Sequence, residues 1–217
     1  MKLKKNKKKS NFRKIWDFLF NNDGPWGWII DVVIAFLIIK FLVYPGLGLL
    51  FGTNLPIVAV ISTSMEHPQG NMWFVEDQAY CSTGKCTQLE WYMEHNISEQ
   101  QFKNFPFKNG FNKGDLMVLV GSNINNTDIG DVIVMYRTGG TPIIHRVYDK
   151  FEQSSMYFYS TKGDNNPGSL KPPSSNFDET RILESTVAGK AIFRIPYLGW
   201  IKLGFSDLLG LFGVRIA

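Results

Sequence analysis

Hydrophobic positions along this chain follow two regimes. Between residues 26 and 51, WGWIIDVVIAFLIIKFLVYPGLGLLF, they run almost unbroken, for longer than the ~20 residues needed to cross a bilayer core. Trp26, Trp28 and Tyr44 sit near the ends of the run, where aromatic rings favour the interface, and Pro45, Gly46 and Gly48 loosen a helix as it leaves. Asp31 and Lys40 lie off-centre, within reach of an interface. A removable leader would carry a shorter apolar core and then a small-residue cleavage site, so the run reads as a retained anchor. Downstream the apolar runs become short: 57–61 (IVAVI), 115–120 (DLMVLV), 131–137 (DVIVMYR), 143–148, 156–161 and 187–195. Each is rich in residues that fit a pleated surface, and Gly114-Asp115 and Gly130-Asp131 punctuate two of them. The expected fold is mainly β, a compact antiparallel domain over residues 52–194 behind an N-terminal transmembrane helix.

Three stretches break that pattern. Residues 69–112 are polar and aromatic and read as an insertion or lid, with room for a short helix around 89–103. Residues 165–176, NNPGSLKPPSSN, are dense in turn formers and read as an exposed loop. In 195–217, Lys202, Ser206 and Asp207 share one side of a helical wheel, against an arc containing Leu203, Phe205, Leu208 and Phe212. A hydrophobic C-terminal helix is expected there, either a second span or a helix lying in the interface.

Charge changes the picture at one end only. Of the 23 basic residues in this 217-residue chain, eight lie within residues 1–14, and no acidic residue accompanies them. The remaining 15 face 19 acidic residues, so the rest of the molecule is not a nucleic-acid surface. Beside an apolar run, the basic tail of 1–25 reads as a cytoplasmic flank under the positive-inside rule, which puts everything after about Thr53 outside. Cys81 and Cys86 are the two cysteines, and an oxidising exterior permits a small-loop disulfide between them. His67 and His95 are within sequence reach, but no paired motif supports a four-ligand metal site, and no cofactor is expected. Asn96-Ile97-Ser98 and Asn125-Asn126-Thr127 match the N-glycosylation acceptor pattern.

Candidate chemistry lies on separate β-rich segments. Ser64 follows the apolar strand 57–61 within Ile61-Ser62-Thr63-Ser64-Met65-Glu66. His145 sits in Thr141-Pro142-Ile143-Ile144-His145-Arg146-Val147, inside a β-branched run. Asp164 follows a strand in Thr161-Lys162-Gly163-Asp164-Asn165-Asn166. Singly, each is an ordinary turn or core residue.

Together they resemble the type I signal peptidase family, in its archaeal and endoplasmic-reticulum branch. The matching blocks are Ser64-Met65-Glu66, Gly130-Asp131-Val132-Ile133-Val134, Pro142 to Val147 and Thr161 to Asn166, in the family's order, with GKAIFRIPYLG at 189–199 similar to its closing strand. The bacterial branch has a lysine at the base position, where this chain has His145. The resemblance implies a membrane-bound serine endopeptidase that removes signal peptides from exported preproteins. Ser64 would be the nucleophile, His145 the general base and Asp164 the orienting acid. The Ser64 N–H and the Ser62 hydroxyl would serve an oxyanion hole. Substrate would add as a strand beside the residues preceding Ser64, Thr63 among them, and beside Pro142, Ile143 and Ile144. Expected partners are preprotein signal peptides, membrane lipid and the protein-export machinery, at a cell membrane with the catalytic domain on the extracytoplasmic side.

The chain departs from the family pattern twice. Proline usually stands three residues after the nucleophile; here that place holds His67, and Pro68 follows. Relatives carry another aspartate soon after the KGD block, whereas this chain has Pro167, Gly168, Ser169 and Leu170, leaving Asp178 as the next aspartate. Lys162 matches the KGD block and not the base position, and reads as a solvated lysine. The rival function is a non-catalytic, membrane-anchored binding or assembly protein on the same scaffold.

Overall fold

The computed structural model describes residues 24–67, 78–137, 140–173, 175–200 and 204. The basic tail through residue 23, Pro68 and most of the expected C-terminal helix lie outside the described residues. The chain divides into two compact units, Met1–Leu50 and Phe51–Ala217.

The apolar run is helical throughout. Helix α1 spans Pro25–Ile38, with Gly24 at its N-cap and Pro25 in the first turn, where the missing N–H leaves no bond unmade. A π-helical turn, Ile39–Val43, leads into α2, Tyr44–Phe51. The wider turn sits just ahead of Pro45, whose ring would crowd a carbonyl of a regular α-helix. Tyr44 N–H bonds the Ile39 carbonyl across it. The helix therefore continues through Pro45, Gly46 and Gly48 instead of fraying there. From Gly27 to Phe51 it has 25 residues at a mean hydropathy of 2.3, a length of about 37 Å, so it is long and apolar enough to cross a hydrocarbon core of ~30 Å. Within it, the Lys40 ammonium lies against the rings of Phe36 and Phe41.

The second unit is built on a seven-stranded antiparallel sheet. Its strands are β1 (Ile57–Ala59), β4 (Leu116–Val120), β5 (Val132–Met135), β6 (Ile143–Gln153), β7 (Met156–Lys162), β8 (Ile182–Leu183) and β9 (Val187–Ile195), in the order β1-β4-β9-β5-β6-β7-β8. All six strand expectations correspond to strands here, and β6 runs five residues past its expected end at Tyr148. Ser154 and Ser155, both at positive φ, close the β6–β7 hairpin with a two-residue turn whose twist matches that of the strands. Core side chains cluster on both faces of the sheet, around Met117, Leu119 and Val134 on one and around Ile133, Val147 and Tyr159 on the other.

Residues 78–112 carry regular structure of their own. A hairpin of β2 (Ala79–Cys81) and β3 (Gly84–Cys86) is closed by a Cys81–Cys86 disulfide. Two short helices follow, α3 (Gln88–Glu94) and α4 (Glu99–Phe102). Thr87 and Ser98 each start one of these helices with a reciprocal capping box. That is why the expected helix over 89–103 appears as two, broken at Asn96, whose φ is positive. Trp91, Tyr92, Ile97 and Phe102 bury themselves with Tyr148 of β6, so the segment packs on one face of the sheet.

Candidate active site

Side chains alternate along β6, and that parity organises the site. The register places Arg146 opposite Lys162 and Val147 opposite Thr161. Arg146 and Lys162 therefore share the face covered by α3 and α4, and His145, Val147 and Thr161 share the other.

Ser64 lies in the tight turn after β1, closed by Glu66 N–H bonding the Thr63 carbonyl at 3.0 Å and anchored by the buried Met65. Its Oγ is 2.9 Å from His145 Nε2, although the two residues are 81 apart in sequence. His145 is buried, and its Nδ1 is in hydrogen-bond contact with Glu179 Oε1. Glu179 is wholly buried and fixed: Oε1 accepts from Thr161 Oγ1 at 3.0 Å and Oε2 from Leu170 N–H at 2.8 Å. Its backbone N–H donates to the Leu170 carbonyl and its carbonyl accepts from Thr161 N–H, continuing the β7–β8 pairing. A serine hydroxyl, an imidazole and a carboxylate thus form one hydrogen-bonded line, an arrangement able to draw a proton from the hydroxyl.

Asp164 is not in that line. It is completely buried on the Arg146 face, where Arg146 Nε meets Oδ1 at 2.9 Å and Nη2 meets Oδ2 at 2.7 Å. Tyr92 donates its hydroxyl to Oδ1 at 2.7 Å, and His67 Nε2 lies 2.9 Å from Oδ2. The expectation that Asp164 orients His145 is corrected by its contacts: in the turn that follows β7 its carboxylate lies against Arg146, Tyr92 and His67, with its oxygens already engaged. Burial opposes its charge, but the Arg146 guanidinium and the hydrogen bonds from His67 and Arg146 outweigh burial and hold the carboxyl well below the usual carboxylate range. The remaining guanidinium N–H groups donate to the carbonyls of Pro106, Gly130 and Phe107 at 2.7, 2.7 and 2.9 Å, so the buried cation is fully bonded.

Asp178 is also elsewhere, with Oδ1 accepting from the Thr180 N–H at 2.9 Å and the Thr180 hydroxyl at 2.6 Å. The acid at His145 is its neighbour Glu179, which a search confined to aspartate misses. The usable signal was the acidic pair Asp178-Glu179 just ahead of an apolar strand. Lys162 is not solvated: it is fully buried, with Nζ bonded to Gln88 Oε1 at 2.5 Å and to the carbonyls of Gly163 and Asp164 at 3.0 and 3.2 Å. Trp91 and Tyr92 face the same ammonium, at 4.9 and 5.2 Å from Nζ to the ring centroids. Burial pushes it down to about 7, against the opposing charges of Asp164 and Glu179.

Ser62 Oγ is 3.1 Å from Ser64 Oγ, a second hydroxyl beside the one that meets His145. Thr63 accepts through its carbonyl from Asn165 Nδ2 at 3.2 Å. Pro142 is exposed and Ile143 half-buried, whereas the Ile144 side chain belongs to the core and is unavailable as a pocket wall. β6 pairs with β7 only from Arg146 onward, so among the described residues the β7 side of 143–145 has no sheet partner. β1 is the outermost strand on the other side. Of the described residues, none form a group of three or more His, Cys, Asp or Glu able to hold a metal, and both cysteines are in the disulfide.

The chain is similar to proteins named signal peptidase complex catalytic subunit. It is 32% identical over 115 residues to that of Colletotrichum graminicola, 29% over 116 to that of Pyricularia oryzae and 28% over 116 to that of Neurospora crassa. Each match spans 49% of this chain and 66% of the relative. No family model matches the chain. The likeness to the type I signal peptidase family in its Ser/His branch therefore rests on these relatives as well as on the short sequence blocks.

Proposed function

We propose that this chain is a membrane-anchored serine endopeptidase that removes signal peptides from exported preproteins, with Ser64 as nucleophile, His145 as general base and Glu179 as orienting acid. The observation that carries the reading is the hydrogen-bonded line from Ser64 Oγ through His145 to Glu179.

A serine hydroxyl is a poor nucleophile at neutral pH. His145 Nε2 takes the Ser64 proton as Oγ attacks the scissile carbonyl, and then gives it to the departing amine. Water, activated by the same nitrogen, releases the acyl group. Glu179 keeps the proton on Nδ1 so that Nε2 has its lone pair toward Ser64, and stabilises the imidazolium between the two transfers. The Ser64 N–H and the Ser62 hydroxyl receive the oxyanion, and the Ser62–Ser64 spacing of 3.1 Å supports that role.

An extended substrate segment adds as a strand along the open edge at 142–145, and the turn after β1 presents Ser64 to its carbonyl. Backbone groups of Ile143 and Ile144 serve this pairing, while the Ile144 side chain supports it from the core. The apolar helix retains the enzyme in the membrane, with the basic tail cytoplasmic and the sheet domain on the extracytoplasmic side. Signal peptides, lipid and other export components are then its partners, as the complex named for its relatives suggests.

The test is cleavage of a signal-peptide-bearing preprotein by the full chain in detergent or liposomes, with Ser64→Ala and His145→Ala alongside. Cleavage by the wild type and its loss in both variants is the expected result. Undiminished cleavage by either variant would overturn the assignment.

A further inference from the structure

We propose that Gln88 and Tyr92 of α3 are positioning residues that hold the Ser64–His145 pair in register by gripping the 162–166 turn from the opposite face of the sheet. This rests on the peptidase reading above and adds a role for the 78–112 segment, which sits behind the site and not over it.

The grip on the turn is made of buried polar groups. Gln88, wholly buried, spans the turn: its Oε1 accepts from Lys162 Nζ at 2.5 Å and its Nε2 donates to the Asn166 carbonyl at 3.1 Å. Between these ends, Lys162 Nζ binds the carbonyls of Gly163 and Asp164, and the Tyr92 hydroxyl binds the Asp164 carboxylate. Three acceptors around Lys162 Nζ match the three donors of an ammonium. Next to the grip, Tyr80 N–H donates to the Pro167 carbonyl at 2.9 Å, so the β2–β3 hairpin fastens the outgoing chain as well.

The other side of the same turn meets the reacting residues. Asn165 N–H donates to the Ser64 carbonyl at 2.8 Å and Asn165 Nδ2 to the Thr63 carbonyl at 3.2 Å. Asp164 N–H points at Met65 Sδ at 3.3 Å. Gly163 lies so close to the imidazole that a Cβ there would come within 2.7 Å of His145 Nε2. A shift of the turn therefore moves the Ser64 carbonyl and opens space beside Nε2 in one step. A displacement of about 1 Å at a reacting pair can lower turnover roughly a hundredfold without changing how substrate binds.

The experiment measures kcat and KM for a preprotein with the full chain in detergent, for wild type, Gln88→Leu, Gln88→Glu, Tyr92→Phe and Ser64→Ala, each normalised to folded protein by its melting transition. Gln88→Leu should lower kcat by roughly tenfold to a hundredfold with KM unchanged. Gln88→Glu keeps the acceptor for Lys162 but sets its second oxygen against the Asn166 carbonyl, so it should recover only part of the lost kcat, more than Gln88→Leu and less than wild type. Tyr92→Phe removes one hydroxyl and leaves the ring in place, so it reports on the proposal even if Gln88→Leu does not fold. Wild-type kcat in the folded variants overturns the positioning role and leaves the peptidase reading intact. Cleavage that survives Ser64→Ala overturns both.

Discussion

Replacing Glu179 by glutamine separates the Glu179 assignment from the Asp164 assignment. The substitution keeps shape and removes charge. Leu170 N–H, half-buried behind the carboxylate, calls for an oxygen at the Oε2 position, where it now bonds at 2.8 Å. Turning the new amide so that its NH2 faces Leu170 N–H would set donor against donor, at a cost of about 1–3 kcal/mol for the unsatisfied group. The amide therefore settles with oxygen toward Leu170 and NH2 toward His145 Nδ1 and the Thr161 hydroxyl, which can rotate to accept. Facing a donor, Nδ1 becomes an acceptor, the proton moves to Nε2, and Nε2 can no longer take the Ser64 proton. A wrong tautomer of this kind lowers kcat by about ten-thousand-fold, equivalent to about 5 kcal/mol in the transition state. Preprotein cleavage measured as kcat, with the melting temperature as a check on folding, decides it. Glu179→Gln retaining kcat within roughly tenfold of wild type, in a protein that melts normally, would refute the reasoning.

Four further outcomes follow from the groups packed around the site. Asp164→Asn strands the buried Arg146 cation, so it should destabilise by about 3–5 kcal/mol in urea unfolding, chiefly reducing the folded population. The Asp164 folded-state pKa lies below its unfolded value, so its stabilisation is complete above the unfolded value of ~3.9 and lost as pH falls toward the folded one. Acid unfolding midpoints should show that loss in wild type and not in Asp164→Asn. Lys162 behaves oppositely: with a folded value of about 7 and an unfolded one of ~10.4, the unfolded chain holds the extra proton between them. Its contribution to stability therefore rises with pH across that window, and Lys162→Met should flatten the slope in urea titrations. Gly163→Ala should lower kcat by roughly tenfold or more, because its methyl would lie within 2.7 Å of both His145 Nε2 and Asn166 Nδ2; normal turnover would show that the turn has slack.

Local signals made much of the fold legible. The apolar run at 26–51 can satisfy its backbone polar groups only as a helix when it meets lipid, and the structure has a helix there. The six short runs rich in β-branched residues became strands because their side chains fit a pleated surface, and the blocks around Ser64 and His145 pointed to the pair that meets at 2.9 Å. What was not legible depended on separations no local pattern encodes. Glu179 reaches His145 from 34 residues away because the loop after Asp164 closes by backbone bonds between Leu170, Thr161 and Glu179.

By itself, then, the sequence determined the helix, the strand segments, the hydroxyl and the imidazole, since each follows from side-chain pattern over a few neighbouring residues. The tertiary structure decided which acid meets the imidazole, and it did so through the course of the chain between β7 and β8. The turn after β7 carries the Asp164 carboxylate to the guanidinium, while backbone bonds to Thr161 and Leu170 bring Glu179 to His145. It also decided the fate of Lys162, charged by type and therefore read as solvated, which Gln88, Trp91 and Tyr92 bury from a segment about 70 residues earlier in the chain. Burial and partnership are properties of packing, and a side chain's type states only what it would demand once buried.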